Sequence, residues 1–229
     1  MGKRLRLAGI ATAAVVVVAV AVAVGHAGPA KTQPLQSDAA AVRGDLAGVP
    51  QTGLSLGRAD APLTVVEFAD LQCPFCRQFD REALPGVIDR YVRTGRVRLE
   101  LRLLPFLGPD SGRAARVAYA AAPQGRAWSF ADLFFRRQKQ ENTGYVTDAF
   151  LKQIADATPG LDARTALAGS GAKAVTRAAA QATRQARRLG VSSVPTLVLM
   201  RPGQAPEQLG LAALTTDGFS SALAAALRS

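Results

Sequence analysis

The hydrophobic pattern divides the chain into three unequal parts. Leu7 to Gly25 is an uncharged run dominated by Ala and Val, preceded by Lys3, Arg4 and Arg6. As a helix it would span about 28 Å, close to the hydrocarbon thickness of a bilayer. A basic flank stays cytoplasmic, which places everything downstream outside. Gly25-His26-Ala27 has the small residues of a signal cleavage site, but the run is long for a signal core. Residues 1–25 are therefore expected to be an uncleaved single-pass anchor in the cell membrane, with secretion of the domain as the alternative if the segment is cleaved. Residues 26–52 lack sustained periodicity and read as a flexible linker with a coil reach of about 25–30 Å.

From Gly53 onward the periods sharpen. Leu54-Ser-Leu56 suggests a short edge strand, and Leu63-Thr-Val-Val-Glu-Phe68 a buried one. Phe75, Phe79, Ala83/Leu84, Val87/Ile88 and Tyr91 recur at helical spacing, with Leu84-Pro85-Gly86 expected to kink or break the helix. Val97 to Leu103 alternates apolar and charged residues, as a half-exposed strand does. The intervening helix requires the two long strands to be parallel through a right-handed crossover.

Residues 105–190 read as helical throughout. Asp110 or Ser111 is expected to cap a helix through Ala122, and Ser129 with Asp132 to open a second. Thr147 is expected to cap a third, residues 162–167 form a fourth, and residues 172–189 a fifth ending at Gly190. Strands then return at Thr196–Met200 and Glu207–Leu211, joined by Arg201-Pro-Gly203, before a last helix over 219–227 capped by Thr216 or Asp217. The order is β-β-α-β, helical insert, β-β-α.

Composition allows one domain of ordinary size over residues 53–229. The net charge of +11 invites an anionic partner, but the cations look spread over helix faces and no nucleic-acid motif is present. A solvated basic surface is the favoured expectation, and attraction to anionic lipid headgroups the weaker one.

The chemistry concentrates at Cys73-Pro74-Phe75-Cys76, which holds the two cysteines of the chain. Pro74 at the first helical position has no N–H to lose, which leaves Cys73 as N-cap, facing unpaired backbone N–H groups that favour a thiolate. Cys76 lies one turn inside. An exposed, acidified Cys73 would attack and Cys76 would resolve. Half a zinc site would need two more soft ligands, and the one histidine, His26, sits beside the apolar run. An inert disulfide would close too small a ring to stabilise much. Buried unreactive thiols fit poorly with Pro74 and a helix start. No histidine lies beyond His26, so histidine-based triads are excluded by inventory.

These motifs carry a family resemblance. Gly57-Arg-Ala-Asp-Ala-Pro62, the strand ending Val66-Glu67-Phe68-Ala69-Asp70, and Cys73-Pro-Phe-Cys76 resemble the DsbA-like thiol-disulfide oxidoreductases of the thioredoxin superfamily. Ser193-Val194-Pro195-Thr196 matches that family's cis-proline loop, and Leu104 to Pro109 followed by an Ala-rich helix and Trp128 resembles its inserted helical domain. The resemblance runs from about Gly53 to Leu227. It implies a thioredoxin-like α/β fold with a helical insertion at about 105–190. It also implies catalytic Cys73 and Cys76, a cis Pro195 facing them, and Val194 offering its backbone to substrate. Glu67 would sit beneath the site and handle protons for Cys76; an outward-facing, solvated glutamate is the alternative. Phe75 stands where the family's namesake has histidine, so Cys73 should be less acidic than in the strongest oxidants.

The activity so implied is disulfide donation to thiol-containing secreted or envelope proteins. Reoxidation would fall to a quinone-linked membrane protein. No cofactor beyond the Cys73–Cys76 disulfide, no metal and no nucleic acid are implied, and a monomer is the default. A disulfide reductase or isomerase, or a non-catalytic peptide-binding module, are the alternatives.

Overall fold

The computed structural model describes residues 34–228. The expected anchor and the first part of the expected linker lie outside these residues. Among the described residues, no helix is long and apolar enough to cross a membrane.

The remainder of the expected linker is structured. Helix α1, Leu35–Asp45, buries Ala39 and Val42, and Leu46 and Val49 continue into the core behind it. The reason is an i, i+4, i+7, i+11 spacing of Leu35, Ala39, Val42 and Leu46, which gives one apolar side. That side packs on α5, Ala127–Arg137, whose Arg136 reaches Asp45 at 2.5 Å and whose Arg137 reaches Asp38 at 3.4 Å.

The sheet has six strands: β1 Gln51–Thr52, β2 Ser55–Leu56, β3 Leu63–Ala69, β4 Val97–Leu103, β5 Thr196–Met200 and β6 Glu207–Leu209, in the order β1-β2-β4-β3-β5-β6. β3 is central, parallel to β4 and antiparallel to β5, with Glu67 opposite Leu101 on one side and Leu197 on the other. β4 buries Val97, Leu99, Leu101 and Leu103, while Arg98, Glu100 and Arg102 form an ion-paired row on its other face. β5 and β6 form an antiparallel hairpin.

The helix after β3 begins as α2, Pro74–Gln78, and continues through a π-helical turn at Phe79–Ala83, then α3, Leu84–Val87, and a second π-helical turn at Ile88–Val92. Pro85 accordingly does not end the helix, which passes from the first π-helical turn through α3 into the second. A Cβ on Gly86 would collide with the side chain of Thr216, so glycine lets the last helix, α9 (Thr216–Ala226), approach closely.

Between β4 and β5 lie α4 Pro109–Ala121, α5, α6 Asp148–Ala157, α7 Ala163–Gly169 and α8 Lys173–Arg188. Thr147 and Asp162 cap α6 and α7 by accepting from Phe150 and Thr165 N–H. α8 ends in paired bonds from Gly190 N–H to Arg187 and from Val191 N–H to Ala186, with Gly190 at φ +66°. Three expected caps differ. α4 starts after Gly108, at φ +134°, and Ser111 is buried inside its first turn. α5 starts two residues before Ser129, which is buried and bonded to Gln51, while Asp132 pairs with Arg136. The α9 cap is Thr215, which accepts from Gly218 N–H. For α4 and α5 the residue with capping chemistry is about a turn away from the one whose backbone leaves the helix; for α9 the cap is the adjacent threonine. Trp128, Phe130, Phe134 and Phe135 are buried in the helical lobe.

Candidate active site

The end of β3 delivers the chain to the N-terminus of α2. Cys73 is the N-cap, in extended conformation, and Pro74 follows in the first turn. The Asp70 carboxylate shapes this junction: Oδ1 accepts Gln72 N–H and Oδ2 accepts Leu107 N–H, both at 2.8 Å. The Asp70 carbonyl accepts Cys73 N–H at 3.0 Å. Gln72 donates to Ser111 Oγ at 3.0 Å and accepts Asn142 N–H at 3.1 Å, and Gln138 donates to the Leu71 and Cys73 carbonyls. The motif loop is thereby tied to the helical insertion at several points.

Both cysteines are free thiols. Cys76 is completely buried and Cys73 is 5% exposed, so the expectation of an exposed Cys73 is corrected. Its neighbours in the motif carry the exposure instead, with Phe75 62% exposed. The Cys73 thiol donates to the Val194 carbonyl at 3.6 Å, and the Val194–Pro195 bond is cis.

The two thiols are electrostatically unlike. The Cys76 thiol, by hydrogen bonding, brings Cys73 down to about 7 against the cost of burial, helped by the backbone N–H groups of Cys76 and Phe75 and opposed by the charge of Asp70. Burial pushes Cys76 well up, reinforced by its bond to Cys73 and by the charges of Cys73 and Glu67, although Asp70 N–H donates to its sulfur at 3.5 Å. Cys73 is the thiol that can be anionic near neutrality.

Glu67 is 2% exposed, which excludes the solvated, outward-facing alternative. Its cross-strand neighbours are leucines and its Oε1 has no hydrogen-bond partner, so burial raises it to about 8. Asp80, on the first π-helical turn, is also buried, and burial with the charges of Asp132 and Glu67 holds it well above the usual carboxylate range.

The structure therefore brings Cys73, Pro74, Phe75, Cys76, Val194 and Pro195 together, and the charge of Glu67 is felt at the Cys76 thiol. Asp70, Gln72, Gln138 and Asp80 were not singled out from sequence. Asp70 and Gln72 stand inside the motif stretch, but their partners Leu107 and Ser111 are 37 and 39 residues away. The site is flanked on one side by a cleft of about 330 Å³ between Pro195–Leu197 and Gln208–Leu211.

Comparison with known proteins agrees with this geometry. A sequence model described as thioredoxin matches residues 50–201. The probable disulfide bond formation protein D of Bacillus cereus is 32% identical over 149 residues, covering 64% of this chain and 69% of that protein. The protein of the same description from Bacillus anthracis is 39% identical over 105 residues, 45% of this chain and 48% of its own length, so the chain spans about half of that relative. Crystalline oxidised BdbD from Bacillus subtilis superposes with a TM-score of 0.66 over 79% of this chain and 98% of that one, at 21% identity.

Proposed function

The chain belongs to the DsbA-like branch of the thioredoxin superfamily, and from that premise we propose that it is an extracytoplasmic thiol-disulfide oxidoreductase donating disulfides to thiol-containing proteins. The observation that carries this reading is the polarised pair: an N-cap thiol near 7 touching the backbone before Pro195, with a buried, strongly raised thiol one turn behind it. This asymmetry assigns attack and release to different sulfurs.

In the oxidised form a substrate thiolate attacks Cys73 Sγ. The Cys73–Cys76 bond breaks and a mixed disulfide forms at Cys73. Cys76 leaves as a thiolate that its buried site disfavours, so it takes up a proton; Glu67, protonated at neutral pH by its value of about 8, is the nearby donor. A second substrate thiolate then attacks the substrate sulfur of the mixed disulfide and releases Cys73 as the thiolate. Two electrons have passed from substrate to the protein. Reoxidation requires an external acceptor, and a quinone-linked membrane protein is the class the family implies.

A reductase or isomerase is the second reading, favoured by one observation: the Cys73 value of about 7 is that of thioredoxin, not that of the strongest oxidants, near 3.5. Equilibration against glutathione and oxidative refolding of a reduced substrate separate the two. A potential well above about −270 mV, with refolding that needs both cysteines, supports the oxidase; a thioredoxin-like potential assigns the reductase. Cys76→Ala should trap substrate on Cys73, and a protein that forms no mixed disulfide and has no cysteine-dependent activity is a peptide-binding module.

A further inference from the structure

The cations of this basic chain are not spread evenly, as the sequence suggested. No acidic residue occurs between Asp162 and Glu207, and that stretch holds seven cations. Five of them, Lys173, Arg177, Arg184, Arg187 and Arg188, are exposed on α8. By helical geometry they fall within an arc of about 100° and extend for about 23 Å along the axis. The opposite side of α8, with Val175, Ala182 and Ala186, is buried, and the helix packs on α4 and β4.

Among the described residues no carboxylate forms an ion pair with any of the five. Glu100 on the neighbouring strand is engaged by Arg98 and Arg102, and Arg102 meets α8 through the neutral Gln185 at 3.0 Å. Like charges at i, i+4 destabilise a helix, and both Lys173/Arg177 and Arg184/Arg188 are such pairs. The stripe therefore costs the isolated domain stability, and an anionic surface laid along it would relieve that cost.

We infer that the exposed face of α8 docks on the anionic headgroups of a lipid bilayer. A straight row of long, unpaired cations on the outside of a helix matches an extended anionic surface, whereas a peptide site is expected to be concave with a few placed polar groups. Four of the five are arginines, whose planar fork fits phosphate oxygens. At the C-terminal end of the row, Arg187 shares a cleft with Phe106, an aromatic 51% exposed, which suits a membrane interface. The location of α1 adds to this. It begins at Leu35, so only nine residues separate it from Gly25, a contour of at most about 30 Å. An apolar run acting as an anchor would hold the domain within reach of the surface.

Full-length protein carrying a photo-cross-linking residue in place of Gln181, exposed at the edge of the stripe and between Arg177 and Arg184 along the axis, tests this after reconstitution in vesicles. The vesicles are phosphatidylcholine alone or phosphatidylcholine with phosphatidylglycerol. A matching probe at Ser221, exposed on α9, is the control. The readout is lipid adduct by mass spectrometry, which does not involve the redox activity. The expected result is adduct at 181 that requires phosphatidylglycerol and is lost in ~1 M salt, where the Debye length is about 3 Å. Adduct should fall about tenfold or more when Lys173, Arg177, Arg184 and Arg188 are all changed to Gln, since each cation near such a surface contributes about fivefold in affinity. Changing the three arginines to Lys should preserve it, which separates loss of charge from loss of fold. Adduct at 181 that is independent of headgroup charge, or that survives in the Gln variant, overturns the inference. So does selective cross-linking of the 181 probe to added polyglutamate but not to phosphatidylglycerol, which would assign the stripe to an acidic polypeptide.

Discussion

The Cys73 thiol and the Val194 carbonyl meet at 3.6 Å across 121 residues of sequence. The carbonyl can accept from the thiol but offers nothing to a thiolate, so the depression of Cys73 to about 7 rests first on the Cys76 thiol and then on backbone N–H groups at the start of α2. The ultraviolet absorbance of the thiolate should therefore titrate near pH 7. The stability of the reduced protein should follow. A depressed thiol contributes stability that is present above its ordinary value of 9.0 and lost as pH falls through the folded value of about 7. The disulfide form has no such group. The melting point of the reduced form relative to the oxidised form should thus drop between pH 9 and 7, by the equivalent of at most about 2 kcal/mol, since each end of that window is only half titrated. A difference independent of pH across that window would remove Cys73 as the acidic thiol.

Phe75 allows the tuning to be tested with little cost to the fold, because it is largely exposed. Histidine there would add a donor, and a cation when protonated, beside the Cys73 thiolate. Phe75→His should lower the Cys73 pKa and make the protein more oxidising, by about 30 mV for each 1.4 kcal/mol of added stabilisation of the reduced form. Equilibration with glutathione measures this. If neither quantity moves, the residue between the cysteines does not set the potential.

Asp70 accepts two backbone N–H groups and opposes ionisation of Cys73. Asp70→Asn keeps the shape and removes the charge, but it sets an amide donor against one N–H. Two outcomes are expected together. Cys73 should become more acidic, and the protein should lose about 1–3 kcal/mol, the cost of an unsatisfied buried donor. Hydrogen exchange at Leu107 or Gln72 should quicken. Unchanged exchange at both amides would show that the clamp does not hold the loop.

What could be read from the sequence was what local pattern dictates. The β3–helix–β4 unit follows from a strand-like run, an i, i+4 series and the crossover rule, and the motif's own residues place Cys73 and Cys76 at a helix start. Helix α1 was missed because its apolar side is narrow, with one apolar residue per turn at Leu35, Ala39, Val42 and Leu46. Its partner Arg136 lies 91 residues from Asp45, so its stability is tertiary. The caps were misplaced for a similar reason: Ser111 and Ser129 have capping chemistry but use it on Gln72 and Gln51. Burial of Cys73 and the two-sided use of Asp70 depend on segments the motif does not contain.

Glu67 gives the sharpest test of proton handling. It is buried between leucines, has an unpartnered oxygen, and rises from 4.5 to about 8. A raised carboxyl contributes stability that is fully present below its unfolded value and is lost as pH rises through the folded value. Native stability should therefore fall between pH 5 and 8 in part through this residue. Glu67→Gln keeps the shape and cannot ionise, so it should be more stable than the parent at pH 8, by a few kcal/mol at most. The two should converge toward pH 5. The substitution should also slow the step in which Cys76 leaves, because the nearby proton donor is gone. That loss should be visible as a slower single-turnover oxidation of a thiol substrate near pH 7, with formation of the Cys73 thiolate little changed. If the pH dependence of stability is unaltered in Glu67→Gln, the carboxyl is not the buried titrating group. If stability shifts as expected while the rate does not, Glu67 is a structural acid and Cys76 takes its proton from elsewhere.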